Sequence, residues 1–127
     1  MRCLLDTSIL LALSRDETTR LSPKLRDAVL SRPDESYASV VSLWEIAIKT
    51  RLGKLDPMIG VADLPVYYRT IGLDLLVINE HHVLTEVGPE PATHDPFDRL
   101  LLAQCQVEGL RLITADRALA DHPFAWR

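Results

Sequence analysis

The sequence has few of the residues that build thiolate or histidine metal sites. Its two cysteines, Cys3 and Cys105, each lie in an apolar run and lack the spacing of metal-binding thiolates, which favours buried free thiols over a disulfide. His81 and His82 are adjacent rather than four residues apart, so they are expected at the surface or in the core rather than on zinc.

Long apolar segments and an excess of positive charge are also absent. No uninterrupted apolar run is long enough for a transmembrane helix, and the first residues lack a basic lead and a small-residue cleavage site. We therefore expect an intracellular, cytoplasmic protein without a membrane partner. The net charge of −4 argues against binding nucleic acid through bulk positive charge, but it suits an enzyme whose acidity is concentrated in one metal site.

Short apolar runs alternate with helical patterns along the 127 residues, which are expected to form one domain over 1–127. Strand patterns cover residues 2–5, 36–39, 73–78 and 110–114. Helical patterns cover residues 9–13, 23 to about 32–33, 40–52, 61–71, 80–87, 96–108 and 118–120. Strands separated by helical crossovers predict an α/β fold with a parallel sheet covered on both faces.

Two aspartates follow predicted strands directly. Asp6 comes after the first strand and Asp116 after the last, so they would share one sheet edge if these strands were neighbours. Asp6 could instead be the N-cap of the first helix. However, Thr7 or Ser8 can supply that cap, which would leave the Asp6 carboxylate free.

Two further acidic residues lie on apolar faces of predicted helices. Glu45 is on the face that the helix 40–52 would bury, and its structural alternative is an ion pair with Lys49, four residues later. Asp98 faces the buried side of its helix, and its alternative is stabilisation of the helix dipole. Asp95 is assigned to capping that same helix.

The four carboxylates are expected to converge, because helices that start at the strand edge bring Glu45 and Asp98 over it. The pattern does not obviously require a lysine or arginine beside them. Close like charges repel and raise carboxyl pKa values, and a hard divalent cation relieves that repulsion. Oxygen-only ligands favour Mg²⁺ or Mn²⁺ over Zn²⁺, and one or two such ions can activate water against a phosphodiester.

Four segments contain the acidic residues described above: residues 4–8, 42–46, 94–99 and 112–116. Together they resemble the PIN-domain ribonucleases, most closely the VapC-type toxins of bacterial toxin–antitoxin modules. The resemblance implies a three-layer α/β/α fold around a parallel sheet of four or five strands, the fifth in doubt because Pro123 stands where it would begin. It also implies a Mg²⁺- or Mn²⁺-dependent endoribonuclease that cleaves structured RNA. The enzyme would be homodimeric and inhibited in a hetero-oligomer by a VapB-type antitoxin, through which alone it would contact operator DNA.

The resemblance assigns roles to individual residues. The family's catalytic acidic quartet falls on Asp6, Glu45, Asp98 and Asp116. Asp6 and Asp98 would form the core of the metal site, Glu45 would complete it directly or through water, and Asp116 would serve a second ion or an outer position. Four residues would support them: Thr7, Ser8 and Thr114 by orienting groups, and Arg99 by touching a substrate phosphate or neutralising charge.

Basic residues near the acidic quartet are candidates for contact with the RNA substrate. The local basic residues available to RNA are Lys49, Arg51, Lys54 and Arg99, although a solvated helix end explains Lys54 better.

A catalytically silent PIN-fold module that acts through antitoxin and operator DNA is the alternative function. An aspartyl-phosphate phosphatase is disfavoured, because Ser8 stands where its second aspartate would be. A receiver domain is also disfavoured, because the lysine that such a domain has near the chain's end is missing.

Overall fold

The computed structural model describes residues 2–31 and 35–127. Within those ranges the strands are β1 (Cys3–Leu5), β2 (Ser36–Ser39), β3 (Asp74–Leu76) and β4 (Arg111–Ile113). The α-helices are α1 (Thr7–Ser14), α2 (Pro23–Leu30), α3 (Val40–Arg51), α4 (Leu64–Thr70), α5 (Glu80–Leu84), α6 (Pro96–Glu108) and α7 (Arg117–Ala120). Single 3₁₀ turns cover Thr18–Arg20 and Val61–Asp63.

The sheet has the order β3-β2-β1-β4, and every pairing is parallel. Leu4 of β1 lies between Tyr37 of β2 and Leu112 of β4. The first and last strands are therefore neighbours, as the placement of Asp6 and Asp116 at one edge requires. The Asp6 amide donates to the Ile113 carbonyl over 2.9 Å, which ties the two strand ends together.

Two hydrophobic clusters cover the two faces of the sheet. Leu5 and Ile113 pack with residues of α1, α2 and α4, whereas Leu4 and Leu112 pack with residues of α6 and α7. This alternation follows from the two-residue period of a strand, whose successive side chains point to opposite faces. The predicted three-layer α/β/α architecture with a parallel sheet is confirmed.

Several helix ends were readable from local chemistry. Ser22 caps α2 by accepting from the Leu25 amide over 3.3 Å, and Pro23 stands at the first helical position, as predicted. Asn79 caps α5 in a capping box: its side chain accepts from the His82 amide, and the His82 side chain accepts from the Asn79 amide. Gly109 ends α6 with φ +70°, a left-handed conformation that glycine adopts without the penalty of a Cβ.

Other boundaries differ from the prediction. β3 covers only Asp74–Leu76, because it pairs with β2 alone at the edge of the sheet and Val77 beyond it is 64% exposed. α1 begins two residues early, at Thr7, because Asp6 caps it. α5 ends at Leu84, where the chain turns to an extended conformation at Thr85.

Two further predictions concerned helix 61–71 and the end of α2. The segment 61–71 divides into a 3₁₀ turn and α4, with Pro65 in the first turn of the helix as expected. α2 ends at Leu30, and the stop predicted near Arg32 and Pro33 lies outside the described residues.

A fifth strand is reduced to one parallel bridge between Leu112 and Ala125. The Leu112 amide donates to the Phe124 carbonyl and the Trp126 amide donates to the Leu112 carbonyl, both over 2.8 Å. Pro123 has no backbone N–H to extend this pairing. The sheet has four strands in the part of the chain that the structure describes.

The cysteines and histidines have the structural roles expected of them. Cys3 and Cys105 are free and buried. His82 is 1% exposed and lies 2.8 Å from Glu108 through its Nε2, whereas His81 is exposed. None of the helices in the described ranges is long and apolar enough to cross a membrane.

Candidate functional site

The four acidic residues singled out in the sequence line one cavity of about 200 Å³. Asp6 and Asp116 reach it from the ends of the neighbouring strands β1 and β4, Glu45 from α3 and Asp98 from the first turn of α6. The remaining lining residues are Thr7, Ser8, Leu11, Lys49 and Leu55. The topology thus brings together side chains that are up to 110 positions apart in the chain.

Asp6 is buried, and its carboxylate accepts hydrogen bonds from three donors. Its Oδ1 accepts from the Thr7 amide over 2.8 Å, while Oδ2 accepts from the hydroxyls of Thr114 over 2.6 Å and Ser8 over 3.2 Å. The expectation that Thr7 or Ser8 would cap α1 and leave Asp6 free is wrong. The extended backbone of Asp6 (ψ 158°) places its own carboxylate against the first amide of α1.

Burial and hydrogen bonding act on the Asp6 pKa in opposite directions. Burial raises the pKa of this carboxyl group, and the donors Thr114, Thr7 and Ser8 oppose that rise. The pKa nevertheless remains above its usual value. The hydroxyls of Thr114 and Ser8 fix the orientation of the carboxylate towards the cavity.

Glu45 is held at both of its carboxylate oxygens and is only 7% exposed. The Thr7 hydroxyl donates to Oε1 over 2.8 Å and lies 2.8 Å from the Ser42 hydroxyl. The Lys49 ammonium donates to Oε2 over 2.6 Å. The ion pair weighed as an alternative for Glu45 is therefore present, inside the cavity rather than on a solvated helix face.

The pKa of the Asp98 carboxyl group is raised as well, to about 6. Burial is the main cause, and the nearby charges of Asp95, Asp6 and Glu45 add to it. A hydrogen bond with Thr93 acts in the opposite direction. The negative charges of the cluster thus add to the effect of burial at Asp98.

Asp95 and Asp116 both cap helices. Asp95 Oδ1 accepts from the amides of Phe97 over 2.7 Å and Asp98 over 3.2 Å, which confirms its assignment as the cap of α6. Asp116 is exposed, and its Oδ1 accepts from the Ala118 amide over 2.9 Å at the start of α7. Its own amide donates to the Thr114 hydroxyl over 3.0 Å, which links it to Asp6 through Thr114.

The basic residues near the site are arranged differently from the expectation. Arg99 pairs with Glu90, with Nη2 3.1 Å from Oε1, and it is absent from the cavity lining. Lys49 is the one basic residue lining the cavity in the described ranges. The sequence pattern did not obviously require a cation beside the carboxylates, but the structure places Lys49 there, and the burial of Glu45 makes an uncompensated charge costly.

Sequence reasoning did not single out an aromatic pair beside the site. Trp44 precedes Glu45 and Phe97 precedes Asp98, and their rings meet edge to face with centroids 5.3 Å apart. Trp44 is 55% exposed. The available signal was two aromatic residues each adjacent to a candidate acid, but only packing of α3 against α6 shows that they touch.

Comparison with protein families shows that the PIN domain family matches residues 3–125. The chain belongs to the PIN domain family. The PIN domain is generally a nuclease fold, and such domains typically act with a divalent metal. No curated protein sequence gives a match to this PIN domain.

The donor chemistry of the cavity fits a divalent metal. Its carboxylates and hydroxyls are oxygen ligands of the kind that Mg²⁺ and Mn²⁺ prefer, and the raised pKa of Asp98 shows that the protein alone disfavours its charged form. Within residues 2–31 and 35–127, no group of three or more His, Cys, Asp or Glu side chains is already arranged around one ion position. Asp6 and Glu45 are instead engaged with donors of the protein itself.

The PIN domain also has larger grooves, of about 590 and 600 Å³, around its C-terminal segment. Trp126 lines both, with Arg111 and Arg127 beside one and Lys24 and Asp27 beside the other. Neither combines several titratable groups of one sign with positioning hydroxyls. The smaller cavity therefore remains the candidate site on chemical grounds.

Proposed function

We propose that this PIN domain is an endoribonuclease that depends on Mg²⁺ or Mn²⁺ and hydrolyses RNA phosphodiester bonds with a metal-activated water. The observation that carries the proposal is the single cavity lined by Asp6, Glu45, Asp98 and Asp116. Buried carboxylates are costly unless they are neutralised, so their collection in one place favours a chemical role.

The residues divide into those that would hold the metal and those that position them. Asp6 and Asp98 would bind the ion, with Glu45 and Asp116 completing its surroundings directly or through water. A bound ion lowers the pKa of its water and offsets the charge that develops on the phosphate. Thr114 and Ser8 hold Asp6 in place and Thr7 holds Glu45, so that these carboxylates need little reorganisation.

Asp98 would couple metal binding to proton release. With a pKa of about 6 it carries a proton in part of the molecules at mildly acidic pH, and a ligand carboxylate must be deprotonated. Metal affinity is therefore expected to increase as the pH rises through about 6.

We further propose that the protein is a VapC-type toxin, homodimeric and inhibited by a VapB-type antitoxin in a hetero-oligomer that meets operator DNA only through the antitoxin. The support is the set of four motif segments, at residues 4–8, 42–46, 94–99 and 112–116, combined with membership of the family. Because toxins and antitoxins of this kind act on cellular RNA and DNA, the proposal places the protein in the cytoplasm.

A cleavage assay on total cellular RNA tests the enzymatic function directly. Purified protein is expected to cut RNA with Mn²⁺ or Mg²⁺, to stop when a chelator is added, and to resume when excess metal is restored. Undiminished cleavage in chelator would reject a metal-dependent mechanism. A complete lack of cleavage in all metal buffers would favour the silent module that acts through antitoxin and DNA.

The exposed Trp44 ring favours an unpaired segment of RNA as the substrate. Trp44 is braced by Phe97, and both residues are chain neighbours of acids that line the cavity. Nucleobases splayed out of single strands or loops stack on aromatic side chains, whereas bases inside a duplex are not accessible to them. A base adjacent to the cleaved phosphate could therefore stack on Trp44.

Replacing Trp44 with alanine should raise KM for a short single-stranded RNA by roughly 5- to 100-fold, the range expected for losing one stacked base. The metal affinity should not change, and Trp44→Phe should recover most of the loss. Steady-state kinetics on a fluorescent oligonucleotide gives KM and kcat separately. Val66→Ala, at another exposed apolar position, is the matched control. An unchanged KM in Trp44→Ala would exclude this contact.

A further inference from the structure

Lys49 is a cation built into an otherwise acidic cavity. Its Nζ lies 2.6 Å from Glu45 Oε2, and its side chain is 37% exposed while that of Glu45 is 9% exposed. Among the described residues that line the cavity, it is the one that carries a positive charge. The pair is therefore part of the site itself and not a surface contact of the helix.

The position of Lys49 follows from the geometry of α3. Residues four apart on an α-helix lie on one face, with the glutamate N-terminal to the lysine in the more favourable order. The hydrogen bond with Glu45 raises the pKa of Lys49 most, and the charges of Asp95 and Asp98 raise it further. Lys49 thus interacts with acids on both α3 and α6.

A divalent ion and the Lys49 ammonium would compete for the same negative charge. Burying a carboxylate without a counter-charge is strongly unfavourable, so some cation must accompany Glu45 when no metal is bound. An ion entering the cavity would bring a second positive charge close to the ammonium, and two like charges at such distances repel. Ion binding at Glu45 and the ion pair with Lys49 therefore oppose each other.

We propose that Lys49 is an internal counter-cation that holds Glu45 in the metal-free protein and competes with the divalent ion for this carboxylate. The inference rests on the proposed metal-dependent function and adds a positioning residue to it. It explains how a protein with four carboxylates around one cavity remains folded before a metal ion binds. It also implies that the protein exchanges one cation for another, and that its metal affinity is lower than the carboxylates alone would give.

The test compares Lys49→Met with Lys54→Met, a control at an exposed lysine that does not line the cavity. Lys49→Met should bind Mn²⁺ roughly 3- to 30-fold more tightly by calorimetry, because the competing charge is gone. Its melting temperature without metal should fall by about 3–8 °C, because Glu45 loses its partner. Lys54→Met should change the affinity by less than about twofold, since exposed charges are well screened.

Two further variants separate competition from general damage. Lys49→Arg keeps the positive charge and should retain the metal-free stability. In a Glu45→Gln background, Lys49→Met should tighten Mn²⁺ binding much less, because the carboxylate for which the cations compete is absent and only their direct repulsion is relieved. If Lys49→Met is poorly folded, Lys49→Gln supplies the same loss of charge with a polar side chain.

The outcomes distinguish this inference from the function on which it rests. Saturable Mn²⁺ binding by the unmodified protein, with affinity unchanged or weakened in Lys49→Met, would overturn the role of Lys49 alone. A lack of any Mn²⁺ binding by the unmodified protein would overturn the proposed function and the competition with it. Tightening of undiminished size in the Glu45→Gln background would also reject the proposal, since it would show that the effect of Lys49 does not depend on Glu45.

Discussion

Asp98→Asn is expected to abolish RNA cleavage in Mn²⁺ buffer while making the metal-free protein more stable. Asparagine has nearly the shape of aspartate but lacks the negative charge that would bind the ion, so cleavage should fall by roughly 10³-fold or more, a loss of about 4 kcal/mol of transition-state stabilisation. The same change removes the group whose pKa is raised to about 6 by burial and by its acidic neighbours.

The stability effect of Asp98→Asn should depend on pH in a defined direction. A carboxyl group whose pKa is higher in the folded than in the unfolded protein binds more protons when folded, so it lowers stability as the pH rises from about 4 to about 6. Asparagine does not titrate, and its advantage should therefore be absent below pH 4 and complete above pH 6. Allowing for the partial exposure of Asp98, we expect roughly 1–2 kcal/mol.

Thermal unfolding in chelator at pH 4 and pH 7, combined with the RNA assay, tests both parts. Asp74→Asn is the matched control, because Asp74 is exposed and begins β3 at the sheet edge opposite the cavity. Cleavage at the unmodified rate would remove Asp98 from the catalytic set. A metal-free variant that is less stable than the unmodified protein at pH 7 would show that burial and acidic neighbours do not make the Asp98 carboxylate destabilising.

Asp6→Ala should also abolish cleavage, but with the opposite effect on stability. Asp6 accepts from the Thr7 amide at the start of α1 and from two hydroxyls, of which that of Thr114 is buried. Loss of an N-cap costs about 0.5–2 kcal/mol and an unsatisfied buried polar group costs about 1–3 kcal/mol. We therefore expect the free energy of unfolding to fall by roughly 2–4 kcal/mol.

Urea unfolding of Asp6→Ala, Asp6→Asn and Ser22→Ala separates the two contributions. Asp6→Asn keeps an oxygen for the cap and should lose activity with a much smaller loss of stability. Ser22→Ala removes only the cap of α2 and should cost about 1 kcal/mol without changing cleavage. If Asp6→Ala unfolds at the same urea concentration as the unmodified protein, the hydrogen bonds at Asp6 do not contribute to stability.

The contrast between Asp98 and Asp6 illustrates how far the sequence can be interpreted. Both are acids at the start of a helix, and spacing alone predicts the same use for them. In the structure burial raises the pKa of both, but Asp6 accepts from three donors that oppose the rise, whereas at Asp98 three acidic neighbours add to it and Thr93 opposes it. One of the donors to Asp6 is Thr114, which is 108 residues away in the chain and follows the strand β4 that pairs with β1.

Local signals accounted for most of the architecture, because they act within a few residues. Ser22 with Pro23, Asn79, Asp95 and Gly109 set helix ends through hydrogen bonds and backbone conformations that are complete within one turn. The alternation of short apolar runs with helical patterns likewise predicted a parallel sheet with helices on both faces, and the structure added that the strands before Asp6 and Asp116 are neighbours.

Only the tertiary structure decided how the site is neutralised and what surrounds it. Asp6 is both the cap of α1 and a residue of the cavity, and Lys49 holds Glu45 inside that cavity. Arg99 pairs with Glu90, and Trp44 contacts Phe97. These arrangements depend on how the elements pack against one another. Charge compensation depends on distances of a few ångströms and on burial. Neither quantity exists until the chain has folded.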